Sequence, residues 1–377
     1  MKRLLIDGNN LLHRMRHTHA LLSSDDGVPT GVLHGTIQSI RALLEEWGPD
    51  ICVFAVDSEH KSWRYTAFPA YKSGRVEKRA KETKEERDAY EKFRTIQIPD
   101  TLKALQRLGI IVIQHPRMEA DDVISILRAT VKKSHAEVDD IIVSSDKDFI
   151  QLVDTDCRVL NPVNDLLYYR ELNSPAVLCN KKDLPVAPCV MSYLARRVVC
   201  GDTSDSIPGI PGVGELTVLR IFNQPWKTFD LFEGMHRCAD ICESENGARM
   251  QLFIKSVRDT KTFIDVIARN IYLMTLIPKA QQYLGRNKAR LRASIEISQE
   301  YKSQLRALRK GDGPQGRWLQ PRMLRNIPNE FTVFFGKRSF GFVTNRQWMI
   351  DVLRPFIRLQ ANSAGVRSGR ESGRTRG

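Results

Sequence analysis

The sequence predicts an α/β fold, a parallel sheet with helices on both faces, followed by a mainly helical second part. Three observations carry this. The apolar, β-branched runs LLI (4–6), ICVFAV (51–56), IIVIQ (110–114) and DIIVSS (140–145) read as strands buried on both faces. Stretches with apolar residues at helical spacing lie between them, which is the alternation of a parallel sheet. Carboxylates follow several of these runs, and in such a sheet ligands bind beyond the carboxyl ends of the strands.

Taken in order, LLID (4–7) is the first strand, TIQSIRALLEEW (36–47) a helix and ICVFAV the second strand. Residues 61–95 change character, with 11 Lys and Arg against 6 acids and few aliphatic residues, so they cannot be core. IPDTLKALQRLG (98–109) and DDVISILRATVKK (121–133) are helices that flank IIVIQ and precede DIIVSS. From about residue 171 the pattern turns mainly helical, through PCVMSYLARRVV (188–199), GELTVLRIF (214–222) and a helix within 248–268. Residues 281–325 carry 11 Lys and Arg against Glu296, Glu300 and Asp312. The last stretch, 361–377, is rich in Gly, Ser and Arg and reads as a disordered basic tail. The expected divisions are 1–170, 171–280, 281–360 and 361–377.

A chain of 377 residues can bury a large core. Its 58 Lys and Arg against 44 Asp and Glu give a formal charge of +14, so the surface outside any acidic cleft should be strongly basic and suit a polyanion. No stretch approaches the roughly 20 apolar residues of a membrane span, and the chain runs directly into a strand, so a cytoplasmic site of action is expected. Seven cysteines without a CxxC pair argue against a disulfide framework. Cys238, Cys242 and His236 lack a second ligand pair, which favours buried thiols over a zinc corner.

Five blocks hold the candidate chemistry: LLIDGNN (Asp7), CVFAVDS (Asp57), MEADDVI (Glu119, Asp121, Asp122), VSSDKDF (Asp146, Asp148) and GDTSDSIPG (Asp202, Asp205). Any one of these acids could be a turn or helix cap, and acids at a helix start are favoured by its dipole. Nine gathered in one cleft could not all stay ionised without cations, and hard oxygen donors suit Mg²⁺ or Mn²⁺. The spacing of Asp146 and Asp148 places both on one side of an extended strand end. Tyr71, Lys72 and Arg75 are expected on one helical face near Trp63 and Arg64, joining cations to rings on which a base can stack. His13, His17 and His19 read as a loop near DNA or solvent. GIPGVGELT (209–217) places Gly209, Gly212 and Gly214 in a turn that opens a helix, resembling a helix-hairpin-helix clamp on phosphate through main-chain amides.

The blocks DGNNLLHR, GVPTGVLHG, VFAVDS, WR with YKSGR, EADDVISIL, SSDKDFIQL, GDTSDSIPGIPGVGELT and LMTLIP resemble the 5′-nuclease family over about residues 1–280. That family comprises flap endonucleases and the 5′–3′ exonuclease domains of bacterial DNA polymerase I, and the format is most similar to stand-alone bacteriophage 5′-exonucleases. The resemblance implies a PIN-like, Rossmann-like domain with a helical arch over 61–95, then a helix-hairpin-helix domain that grips duplex. It implies two Mg²⁺ ions, with Mn²⁺ able to substitute, and a K⁺ ion at the hairpin. Asp7, Asp57, Glu119 and Asp121, with Asp122 beside them, match the first metal site; Asp146, Asp148, Asp202 and Asp205 match the second. Lys72 and Arg75 match catalytic cations at the arch base, and Arg64 and Tyr71 join them in contacting DNA. Leu216 stands where many members carry lysine, and residues 281–377 have no counterpart.

The expected function is therefore a monomeric, structure-specific 5′ nuclease acting on DNA with a free 5′ single strand or flap. Two alternatives stand beside it: the same chemistry directed at RNA primers in RNA–DNA hybrids, and a non-catalytic DNA-binding protein of this fold.

Overall fold

A computed structural model describes residues 1–132, 138–180, 185–223, 231–244, 247–276, 354–356 and 358–359. The apolar runs form β1 (Lys2–Asp7), β2 (Ile51–Val56), β3 (Ile111–Gln114) and β4 (Asp139–Val143). Four more strands continue the sheet: β5 (Cys157–Asn161), β6 (Leu166–Tyr169), β7 (Val177–Cys179) and β8 (Pro185–Ala187). The order is β3-β2-β1-β4-β5-β6-β7-β8, parallel from β3 to β5 and antiparallel from β5 to β8. The division expected at residue 170 thus falls inside the sheet. After β1 the chain builds outward to β2 and β3, then returns to place β4 on the other side of β1. A crevice opens where the strand order reverses in this way, and Asp7, Asp57 and Asp146 lie at or just past the ends of β1, β2 and β4.

Both faces are covered. Leu4 and Ile6 pack with the helices α1 (Gly8–Thr18) and α2 (Gly31–Trp47). Leu5 points the other way. Each of these three side chains is fully buried, a contribution of about 1.5–3 kcal/mol apiece. α1 starts directly on the end of β1, with the Asp7 carboxylate accepting from the Asn10 amide as its cap. Gly8 permits this close turn, because a Cβ there would meet Phe54 Cε1 at 2.4 Å and the Ala55 carbonyl at 2.5 Å.

Past β2 come α3 (Trp63–Ala67), α4 (Ser73–Ala80), α5 (Lys84–Lys92) and α6 (Ile98–Arg107). α4 and α5 bury no side chain, in keeping with their charge, but the expectation that 61–95 stays out of the core fails at its two ends, where Arg64, Tyr71, Lys72 and Phe93 are buried. α5 runs into α6 through a π-helical turn, Phe93–Gln97, with Pro99 in the first turn of α6. Buried Phe93 anchors that leg in the core beneath α6. α7 (Ala120–Lys132) then covers the face that Leu5 occupies.

The second part has its own core, built on α8 (Val190–Cys200) with buried Leu194, Ala195 and Val198. Two-residue strands β9 (Gly201–Asp202) and β10 (Ile207–Pro208) pair next and lead to α9 (Glu215–Ile221). α10 (Leu231–Ile241), α11 (Ala248–Arg258), α12 (Thr260–Thr262) and α13 (Arg269–Met274) complete it. The single helix expected within 248–268 is split: α11 ends at Arg258, Asp259 caps the next turn through the Thr262 amide, and Phe263–Ala268 is π-helical. From the C-terminal region, Phe356 and Leu359 are buried in the same core as Leu4 and Ile6. The rest of the expected 281–360 extension, and the 361–377 tail, lie outside the described residues. Among the described residues no helix is long and apolar enough to cross a membrane.

Candidate metal centre and nucleic-acid interface

A cleft of about 290 Å³ opens at the carboxyl ends of β1, β2 and β4 and is closed on its far side by the loop between β9 and β10. Eight of the nine acids line it: Asp7, Asp57, Glu119, Asp121, Asp146, Asp148, Asp202 and Asp205. Arg64, Tyr71, Lys72, Arg75, Asn9, Asn10 and His13 also line it. Five separate stretches of chain therefore deliver carboxylates to one place.

The acids are held from behind by hydroxyl, amide and cationic donors. Asp7 accepts from the Ser144 hydroxyl at 2.8 Å, and Asp57 from the Ala120 amide at 2.8 Å. The Glu119 carboxylate receives the Ser62 hydroxyl at 2.8 Å, the Tyr71 hydroxyl at 3.0 Å and Lys72 Nζ at 2.9 Å. Asp205 receives Arg75 at 2.7 Å and the Tyr71 hydroxyl at 2.9 Å. Tyr71 thus bridges the two acid groups, its one hydroxyl proton shared between Glu119 and Asp205, with Lys72 Nζ over its ring.

Burial and mutual repulsion raise several of these carboxyls. Asp7 is pushed up to about 7, first by burial and then by Asp57 and Asp146, against the pull of its Asn10 and Ser144 hydrogen bonds. Asp57 rises to about 6 through burial and Glu119, and Asp148 to about 7 through burial and Asp146. Asp121 and Asp146 are also raised, chiefly by burial. Two acids go the other way. Burial pushes Glu119 up, but Arg64 and Lys72 outweigh that and hold it at about 2. Burial also pushes Asp202 up, but Ser204 and Arg197 outweigh it, so Asp202 is lowered. His13 is driven down to about 4, by burial and then by Arg16, so it faces the cleft as a neutral ring.

Two arginines serve as internal counter-ions. Arg64 is 2 % exposed and donates to Asp122 at 2.9 and 3.0 Å, to Asp121 at 3.3 Å and to the Leu273 carbonyl at 3.0 Å. Arg197, on α8, bridges Asp148 at 2.9 Å and Asp202 at 2.7 Å.

Several expectations need correction. Asp122 is fully buried and does not line the cleft; its oxygens take up Trp63, Arg64 and the Glu119 amide, so it fixes Arg64 instead of offering a metal ligand. Arg64, expected to contact DNA, is spent on those acids. Tyr71 and Lys72 precede α4, with Lys72 at φ +56°, so they share no helical face with Arg75. Asp146 caps a 3₁₀ turn by accepting the Asp148 amide, instead of lying with Asp148 along one extended side. His13 and His17 sit on α1 and His19 is its C-cap. Gly209, Gly212 and Gly214 form the turn between β10 and α9, outside the acidic cleft. Gly212 has φ +80°, and a Cβ on Gly209 would strike the Cys200 carbonyl at 2.2 Å.

Sequence reasoning missed Ser62, Ser144, Asn9, Asn10 and Arg197. Each is a common residue whose role depends on which acid it meets in space, and no spacing announces it. Among the described residues no three acidic, His or Cys groups already meet tightly around one point. The donor chemistry nonetheless fits Mg²⁺, which keeps much of its water and needs only one or two carboxylates per ion.

Residues 2–178 match the family model described as 5′-3′ exonuclease, N-terminal resolvase-like domain. The thermostable DNA polymerase I of Thermus thermophilus is 27 % identical over 263 residues, covering 70 % of this chain but 29 % of the polymerase. DNA polymerase I of Treponema pallidum is 30 % identical over 237 residues, 62 % of this chain and 21 % of the relative. The chain therefore spans less than a third of these polymerases. The 5′-3′ exonuclease of Aquifex aeolicus is 29 % identical over 220 residues, 58 % of this chain and 68 % of that protein. Among solved structures, the bacteriophage T5 flap endonuclease, in a complex with DNA and metal ions, superposes with a TM-score of 0.55 at 18 % identity, covering 75 % of this chain and 92 % of its own. That likeness establishes the fold.

Proposed function

We propose, from the match of residues 2–178 to the 5′-3′ exonuclease N-terminal resolvase-like domain, that this chain is a metal-dependent 5′ nuclease, a 5′–3′ exonuclease and 5′-flap endonuclease acting on DNA. The observation that carries the proposal is the convergence of eight carboxylates from five chain segments on one cleft, beside Lys72 and Arg75. Asp7, Asp57, Glu119 and Asp121 would hold one Mg²⁺, and Asp146, Asp148, Asp202 and Asp205 a second, one or two of each group directly and the others through the ion's water; Mn²⁺ has the same oxygen preference. Such ions, when bound, supply an activated water and charge neutralisation at the leaving 3′-oxygen of a phosphodiester.

The protein's own residues do the rest. Lys72 and Arg75 stand between the acid groups and the arch, where they hold the phosphate's non-bridging oxygens and stabilise the charge that builds there. Arg64 and Arg197 remain as internal cations that hold Asp121, Asp122, Asp148 and Asp202 in place. Tyr71 orients Glu119 and Asp205 together. The Gly209–Gly214 turn would take a duplex phosphate on its amides with a K⁺ ion, while α4 and α5 admit a single-stranded 5′ end. The proposed setting is a monomer in the cytoplasm of a bacterial or phage-infected cell.

The test is cleavage of a 5′-flap DNA with Mg²⁺ and with EDTA, with product mapping. Cutting near the junction that needs Mg²⁺ and leaves a 5′-phosphate is expected. Binding without cutting would support the non-catalytic alternative, and faster cutting of an RNA–DNA primer substrate than of the DNA flap would support the RNA-directed one.

A further inference from the structure

α4 is a helix without visible means of support at its N-terminus. It has eight residues, none of them buried, and helices that short are marginal without packing or caps. Lys72, at the N-cap position, makes no side-chain cap and sits in the left-handed region. Two first-turn amides find nearby carbonyls: Ser73 donates to Ala70 at 3.1 Å and Arg75 to Lys72 at 3.1 Å. The Gly74 amide between them donates to Ser206 Oγ at 3.1 Å, across 132 positions of sequence.

Ser206 sits in the loop between β9 and β10, next to Asp205. Its φ of +58° is unfavourable for any residue with a side chain, and its amide is tied to the Thr203 carbonyl at 3.2 Å. This backbone aims the hydroxyl at α4. Asp205 reinforces the join, because its carbonyl accepts the Lys72 amide at 2.8 Å while its carboxylate takes Arg75 and Tyr71. Two consecutive residues of the second part thus hold the whole segment 71–75.

We propose that Ser206 is a positioning residue that caps the arch helix α4 from across the cleft and thereby sets Lys72 and Arg75 over the carboxylates. The same hairpin leads straight into the Gly209–Gly214 turn, so the arch base and the expected duplex grip share one rigid connection. The consequence for cleavage rests on the nuclease reading; the cap itself does not.

Hydrogen exchange on the full chain without DNA tests the cap directly. In Ser206→Ala the amides of residues 74–80 should exchange about fivefold faster, the usual scale of a lost helix cap. Ser206→Gly should do the same, although glycine accepts the left-handed backbone freely, because only the hydroxyl matters. Ser206→Asn, which tolerates that conformation and offers an oxygen, should restore protection. On a 5′-flap DNA, kcat should fall in the Ala and Gly variants while KM and blunt-duplex affinity stay at wild-type values. Wild-type exchange at 74–80 in both variants, or an increase shared equally by α8, overturns the proposal. A wild-type protein that cuts no flap defeats the nuclease reading instead, and the exchange comparison still decides the cap.

Discussion

Arg64 is where sequence and structure disagree most usefully. Placed beside Trp63 and ahead of YKSGR, it reads as a cation waiting for DNA, yet it is buried against Asp122, Asp121 and Glu119. Removing one partner of a buried ion group leaves the others unpaired, so Arg64→Ala should cost about 3–5 kcal/mol of stability. Urea denaturation measures this; a loss of DNA affinity with unchanged stability would restore the original reading. Asp146→Asn or Asp121→Asn should act oppositely, removing roughly a hundredfold or more of kcat, the worth of several kcal/mol of metal-derived stabilisation, while duplex binding persists. Turnover at the wild-type rate would remove these two from the ligand set. The carboxylates were legible because acids rarely recur after buried strands. Their partners were not, since the pairing of Arg197 with Asp148 and Asp202 exists only once α8 is packed.

At the scale of elements, β1 to β4 were legible because each is a continuous apolar, β-branched run, while β5 is broken by Arg158 and β6, β7 and β8 span only three or four residues with little β-branching. The parallel strands also create the electrostatics of the site. β1, β2 and β4 deliver acids to one crevice where burial and mutual repulsion raise them, so Asp7 and Asp148 have folded-state values of about 7 and Asp57 about 6, against 3.8 when unfolded. The folded form then holds more protons than the unfolded form between those limits, and stability falls as pH rises through that window. Glu119 works the other way, but its contribution is complete above 4.5 and is lost only on acidification through about 2. His13, lowered from 6.5 to about 4, offsets part of the fall between those two values, against three raised carboxyls. In EDTA, the melting temperature should therefore drop from pH 5 to pH 7.5. Mg²⁺ competes with protons for the same oxygens, so it should raise the melting temperature more at pH 7.5 than at pH 5. Thermal melts at both values, with and without Mg²⁺, check this; an equal Mg²⁺ shift at the two would place the ions elsewhere.

For the molecule as a whole, the charge of +14 is not spread over the surface as the composition suggested. Residues 1–276 carry 37 Lys and Arg against 38 Asp and Glu, while residues 277–377 carry 21 against 6. Residues 1–276 are therefore almost neutral, and the entire basic excess belongs to the C-terminal hundred residues. Attraction to a polyanion scales with the phosphates neutralised, each adding about 0.9 to the slope of log affinity against log salt. A chain ending at Leu276 should therefore bind duplex DNA with a much flatter salt dependence than the full chain. Truncation also removes Phe356 and Leu359 from the first core, which would confuse lost charge with lost stability. Phe356→Ala in the full chain separates them: it keeps every charge, and emptying that buried site should cost about 3–5 kcal/mol. The full-length variant should melt earlier and keep the wild-type salt slope, while the truncated chain loses slope. If both chains show the wild-type slope, the phosphate contacts lie in residues 1–276, on a surface with no net positive charge to explain them.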